Sequence, residues 1–348
     1  MTEHSARFKA GIILFIVLCF SMQAFPQRYP DPQVDSLIET GIGQLIKQDY
    51  AGAKITFTAL DVRFPLLPAG KIFIAAADIA KSIDYSENIS GSTFGDRLAE
   101  AQQKAKALLE KNPDNVWYRY FLALAEGYIS YYDALNGSWL SAFSKGLGAV
   151  SDFNACLKLK PDFYDAYTAV GTYRYWRSRK TSFLNWLPFV GNDEEEGIKD
   201  LKLAIDHKTY HRYIAMNSLL WIYIDQKKYR DAKAIAEKAL KDYPDSRQFK
   251  WGLARAYEGI DLGKSILIYS DILNSYKSIK GINRCNEITL MHIIAQIYNR
   301  SGEKEKALNE CNEILSITDL TEYEKDKLDS RLDRVKQLKN ELVEELSK

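Results

Sequence analysis

Cysteine is scarce in this chain, at four among 348 residues. Cys19 belongs to the N-terminal segment; the others, Cys156, Cys285 and Cys311, lie far apart and form no C-x-x-C pair. Such spacing argues against a disulfide framework and against a cysteine zinc site. Cys156 and Cys311 fall on apolar helical positions and are expected to be buried as small hydrophobes. An excess of one charge is also missing, since 47 Lys and Arg face 46 Asp and Glu. With no basic field, nucleic acid is not an expected partner. Histidine is limited to four residues. His4 lies in the N-terminal segment and His292 stands alone, so only His207 and His211 have a spacing that suits a metal. They bracket Lys208-Thr209-Tyr210, where a helix should end, and a solvated turn is expected there rather than a ligand pair. No phosphate loop, dinucleotide fingerprint or nucleophile elbow occurs. The expectation is a protein that is not an enzyme and needs neither metal nor cofactor.

Long apolar runs are limited to one. Arg7 and Lys9 precede apolar residues 10–20, followed by Ser21-Met22-Gln23-Ala24. That run falls short of the roughly 20 residues a membrane span needs, and it has the layout of a secretory signal. Residues 1–24 are therefore expected to be a signal peptide, exporting the chain to a bacterial periplasm or cell envelope. Retention as a membrane anchor is the alternative. Leu18 before Cys19 argues against a lipoprotein site. Pro26, Pro30 and Pro32 mark a linker over residues 25–33.

What the chain has in quantity is tyrosine, 22 in all, a residue whose ring packs between helices while its hydroxyl reaches the edge. Self-similarity is clearest over residues 216–244. Leu219, Leu220 and Tyr223 line one helical face, a turn follows at 225–228, and Tyr229, Ala232, Ala236, Ala239 and Leu240 line a second helix ending at Tyr243-Pro244. Related spacings recur from Gly41 to Pro65, at Ala101 to Pro113, from Tyr118 to Pro161, from Tyr167 to Ala204, at Leu253 to Ile272 and from Ile294 to Ile314. This pattern resembles the tetratricopeptide repeat, in which small residues let two antiparallel helices approach closely. The resemblance implies an all-α, right-handed superhelical solenoid of about seven helix pairs over residues 34–317. Residues 318–348 carry Leu328, Leu332, Val335, Leu338, Leu342 and Leu346 among dense charge, as an amphipathic end cap should.

The pattern departs from a plain unit in one respect. Pro65, Pro113 and Pro161 lie 48 residues apart, whereas the family's unit is about 34. The extra residues are expected as inserts between the first and second helices of repeats 2 to 4, at 86–96, 135–146 and 178–193. Their aromatic residues Trp139, Phe143, Phe183, Trp186 and Phe189 are candidates for an insert surface, a lid being the plainer reading. Residues 135–205 also bear a slight resemblance to tetratricopeptide proteins of the mitochondrial outer membrane, through an aromatic insert before Glu196-Gly197-Ile198, from which no function follows.

In the tetratricopeptide fold the first helix of each pair lines a concave groove. By register, the groove residues expected to contact a partner are Thr172, Trp176, Asn217, Trp221, Trp251, Arg255, Gln296 and Asn299. Trp and Arg are frequent interface anchors. The expected function is thus an exported scaffold that binds a protein or peptide through this groove, through the insert edge, or through both. A second reading is a membrane-associated accessory factor of the cell envelope, held by its N-terminus or by residues 178–193. A remoter one is an enzyme with the inserts as a lid.

Overall fold

The structure, a computed structural model, describes residues 27–89, 92–180 and 193–347. The described residues form fifteen α-helices and no strand. In order these are α1 (Pro32–Ile46), α2 (Tyr50–Arg63), α3 (Ala69–Tyr85), α4 (Ser92–Lys111), α5 (Val116–Leu135), α6 (Trp139–Leu159), α7 (Tyr164–Lys180) and α8 (Glu194–Asp206). Then follow α9 (Arg212–Asp225), α10 (Tyr229–Asp242), α11 (Arg247–Tyr257), α12 (Leu262–Lys277), α13 (Cys285–Arg300), α14 (Lys304–Ser316) and α15 (Glu322–Leu346). Each helix packs on the next, and first helices of adjacent pairs also touch, as α1 with α3 and α7 with α9. Seven antiparallel pairs and a final helix are thus stacked into a solenoid.

Local chemistry sets the boundaries. Asp31 caps α1 by accepting from the backbone N–H groups of Gln33 and Val34, with Pro32 placed where no donor is needed. Asn115 does the same for α5, and Thr321 with Glu324 closes a capping box on α15. Four pairs share one turn: three residues, the middle one with positive φ, at Gln48, Gly137, Lys227 and Gly302. Their φ values of 63°, 75°, 57° and 83° reverse the chain in the fewest residues.

That shared turn corrects the expected inserts. Residues 135–146 are not a loop, since α5 ends at Leu135 and α6 starts at Trp139. Likewise α4 begins at Ser92, inside the expected 86–96 insert. The extra residues lengthen the helices where they meet: α4, α5 and α6 have 20, 20 and 21 residues, against 14 each for α9 and α10. Most of the 178–193 insert, including Phe183, Trp186 and Phe189, lies outside the described residues. The acidic run Glu194–Glu196 forms the first turn of α8, where carboxylates meet the positive end of the helix.

The buried apolar residues gather in clusters along the inside of the pairs, the three largest around α1–α7, α7–α11 and α11–α15. Ala232, Ala236 and Ala239 of α10 are fully buried, as are Cys156 and Cys311. Burial pushes the Cys156 thiol up to about 12 and Cys311 to about 11, so both stay protonated. Glycines let α7 and α8 approach closely. A Cβ added at Gly171 would stand 2.7 Å from the Gly197 carbonyl oxygen, and one at Gly197 would stand 2.7 Å from that of Gly171. On α15, Leu328, Val335, Leu338 and Leu342 bury one stripe against the last pair. Leu332 is half-buried and Leu346 is exposed.

Candidate functional site: a closed lumen and an apolar edge

The solenoid closes on itself. Asp84, at the end of α3, meets Arg247, at the start of α11. The guanidinium donates to both Asp84 oxygens, from Nε at 3.0 Å and also from Nη2. Tyr50 and Tyr276 hydroxyls donate to the same carboxylate, each at 2.9 Å. Burial alone would lower the Arg247 pKa, but the Asp84 hydrogen bond and charge more than offset it, and Arg247 ends above its ordinary value. Burial, then the Asp84 charge, raises Tyr50 and Tyr276, so both hydroxyls keep their protons. Beside this latch, Gln48 uses both ends of its amide: Nε2 donates to the Asp245 carbonyl and Oε1 accepts from the Arg247 backbone, each at 3.1 Å. Asn286 and Asn283 donate to the carbonyls of Asp84 and Tyr85 at 2.7 and 2.8 Å, and Tyr323 of α15 donates to that of Ser86 at 2.7 Å.

A second seam lies at the start of α9. The Tyr210 hydroxyl donates to Asp35 of α1 and accepts from the Tyr29 backbone N–H. Beneath it, His211 is buried, with Nδ1 at 2.6 Å from the Tyr120 hydroxyl and 3.3 Å from Asp165. Asp165 also accepts from the His211 backbone N–H. The expected solvated turn is therefore wrong for His211, because Phe73 of α3 and Tyr120 of α5 close over it. His207 stacks on Tyr164 instead, 3.5 Å between ring centroids.

Closure turns the groove into a lumen. It holds a cavity of about 600 Å³, lined by α1, α3, α9, α11 and the ends of their neighbours. Its walls include Ile42, Leu45, Phe73, Ile79, Trp221 and Trp251, with Asn217, Ser246 and His211 among the polar groups. Three of the residues expected in the groove, Asn217, Trp221 and Trp251, thus share one cavity wall. The others do not join them. Thr172 bonds its own helix through the Thr168 carbonyl, and Trp176 packs edge-on against Tyr175. Arg255 pairs with Glu258, which also accepts from Arg300 and Tyr269. Gln296 is exposed, and Asn299 accepts from Lys304. His292 is buried against Arg331 of α15 and does not line the cavity.

Outside, the lengthened α5–α6 hairpin carries an apolar strip. Trp139 is 69% exposed, Leu140 89% and Phe143 69%, with Leu135 and Leu147 also exposed. Spacings of three and four residues place Leu140, Phe143 and Leu147 on one face of α6. Trp139 and Phe143 are thereby the two residues of the expected insert surface whose positions are described.

With this geometry in hand, the tetratricopeptide repeat family model matches residues 213–245, which span the α9–α10 pair. The α9–α10 pair is a tetratricopeptide repeat. The remaining pairs stack on it as antiparallel helix pairs, so the described residues form an all-helical repeat solenoid. Among solved structures it is similar to a tetratricopeptide repeat protein from Parabacteroides merdae, at 15% identity over 86% of this chain and 98% of that one, with a TM-score of 0.38. It is also similar to PilW, described as a widely conserved type IV pilus biogenesis factor, at 16% identity over 74% and 98%, with a TM-score of 0.46. The APC/C hetero-tetramer Cut9–Hcn1 gives 14% identity over 87% and 48%, with a TM-score of 0.46. No curated protein matches the sequence.

Closure was not visible in the sequence. Its signal consists of single polar residues far apart, such as Asp84 and Arg247, which no periodicity connects.

Proposed function

We propose that this tetratricopeptide-type solenoid is an exported scaffold of the bacterial cell envelope that holds a protein partner at the apolar edge of its α5–α6 hairpin. Helical-repeat solenoids act by presenting extended surfaces to partners. The observation that carries the reading is the strip Leu135, Trp139, Leu140, Phe143 and Leu147, all exposed on one edge. Large apolar side chains grouped on a surface mark contact sites, whereas scattered ones do not. The groove gives less support to peptide binding along its length, because the Asp84–Arg247 latch bridges it between α3 and α11. Export rests on the signal-like residues 1–24, and the domain layout of linker, solenoid and end cap follows from the same sequence reading. The buried His211 joins Tyr120 of α5 and Asp165 of α7 by hydrogen bonds, tying three helix pairs together as a scaffold requires.

The test is site-specific photocrosslinking in cells producing the full chain, with a benzophenone amino acid at position 140. Position 267, on α12 and 71% exposed, serves as control. A discrete protein adduct at 140, absent at 267 and lost on Trp139→Ser/Phe143→Ser, supports the proposal. Adducts to lipid alone would favour the membrane-associated reading, although no helix among the described residues is long and apolar enough to cross a membrane. Equal adducts at both positions would sink the edge as a specific site.

A further inference from the structure

The latched lumen is a built chamber, and its lining specifies what it can hold. Its volume, about 600 Å³, lies in the range of small-molecule sites, roughly 300–1,000 Å³. Most of the wall is aliphatic or aromatic, from Ile42, Leu45, Phe73, Ile79, Trp221 and Trp251. The one carboxylate in the wall among the described residues, Asp84, already receives Arg247, Tyr50 and Tyr276. A charged ligand would therefore enter without a counter-charge, at a cost of several kcal/mol or more. Polar recognition is nevertheless present. Asn217 and Ser246 belong to the wall, and the Asn217 carboxamide oxygen and the Ser246 hydroxyl are buried without a hydrogen-bond partner. Ser246 is 2% exposed and stands at the N-cap position of α11, yet it makes no capping bond. Buried polar groups are nearly always satisfied, so two unpartnered ones on one apolar wall point to something that satisfies them. An amide oxygen calls for a donor, and a hydroxyl accepts or donates.

We infer that the lumen is a binding site for an uncharged amphiphile, an apolar chain or fused-ring body that carries one hydroxyl or N–H group. The apolar body lies against the isoleucines, Phe73 and the two tryptophans. The polar group is held by Asn217 and Ser246. The site is distinct from the edge proposed for a protein partner, because no residue of that strip lines the cavity. Exposed Ile83, Ile214 and Gln248 form its mouth.

The test is a fluorescence titration of the purified full chain with N-phenyl-1-naphthylamine, which is uncharged and has one N–H. In parallel, 8-anilino-1-naphthalenesulfonate presents the same rings with a negative charge. Expected is saturable one-to-one binding of the neutral probe, at least tenfold tighter than the anionic one. Ala80→Leu, which adds volume to the wall, should weaken the neutral probe tenfold or more at unchanged helical circular dichroism. Asn217→Leu, which keeps the wall apolar but removes the acceptor, should weaken it about fivefold, as the loss of one hydrogen bond predicts. Trp139→Ser/Phe143→Ser should leave it unchanged. The inference is overturned if the neutral probe does not saturate, if both lumen variants bind it like the parent, if the sulfonate binds equally well, or if the edge variant abolishes binding. The photocrosslinking outcome at position 140 does not bear on any of these.

Discussion

Replacing Asp84 by alanine should open the solenoid without melting its helices. In the parent, Asp84 and Arg247 are only 11% and 10% exposed, and Asp84 accepts two bonds from the guanidinium and one from each of two tyrosines. Removing one partner of a buried ion pair costs about 3–5 kcal/mol, because the other charge stays buried without compensation. The two orphaned tyrosine hydroxyls add about 1 kcal/mol each. A penalty of about 5 kcal/mol falls almost wholly on the closed state, since opening returns Arg247 to water. The helix pairs hold each other through neighbour contacts and do not depend on the latch. Small-angle scattering of Asp84→Ala should therefore show a larger radius of gyration at unchanged far-ultraviolet circular dichroism. The double variant Asp84→Leu/Arg247→Met removes both charges and should recover most of the closed population, leaving a coupling of about 3 kcal/mol in a double-mutant cycle. A parental scattering curve for Asp84→Ala would refute the latch, as would a double variant no better than the single.

Other outcomes follow from packing and protonation. Gly171→Ala drives a methyl to 2.7 Å from the Gly197 carbonyl and should cost about 2–3 kcal/mol in chemical denaturation, whereas Gly127→Ala, whose nearest neighbour would be 3.9 Å away, should gain up to about 1 kcal/mol. Burial, followed by the charges of Arg331 and Arg334, lowers His292 from 6.5 to about 4. Below pH 6.5 the unfolded chain takes up this proton and the folded chain does not. Stability should be full above about 6.5 and fall towards pH 4, by on the order of 3 kcal/mol, and His292→Gln should flatten that slope in pH-dependent melts. Cys156 and Cys311 should resist a thiol reagent in the native state and react once denaturant is added, as burial raises both thiols; rapid native labelling of either would contradict the packing of α6 or α14.

The helix pairs were legible because their signal is local and repeated. Ala232, Ala236 and Ala239 recur at helical spacing and are all buried, and the same spacing marks the buried stripe Leu328, Val335 and Leu342 of the last helix. Two readings failed where tertiary contacts override local preference. Residues 135–146 contain Gly137, Ser138, Ser141, Ser144 and Gly146, a loop-like composition, yet most of the stretch is helix because α6 is held against α5. Ser130 donates to the Ala142 carbonyl at 2.7 Å, and Gly146 leaves room beside the same serine. His211 follows the turn residues Lys208 and Thr209, and its burial is supplied by α3 and α5, far away in sequence.

The placement of the site shows the same division between local and distant information. Asn217, Trp221 and Trp251, chosen by helical register, line the same cavity, because register depends only on which side of each helix is apolar. Whether the inner face would be an open groove or a chamber depends on how far the solenoid winds, and small rotations at each pair sum to that angle. The residues that hold the final angle, Gln48, Asp84 and Arg247, touch across 163 residues or more. Contacts of such range carry a high loop-closure cost before any bond is made, so they form after the pairs have stacked. A solenoid held by neighbour contacts alone could lose or gain a pair with little consequence. Here, removing a pair between α3 and α11 would separate Asp84 from Arg247 and open the lumen, so the number of repeats is itself part of the site.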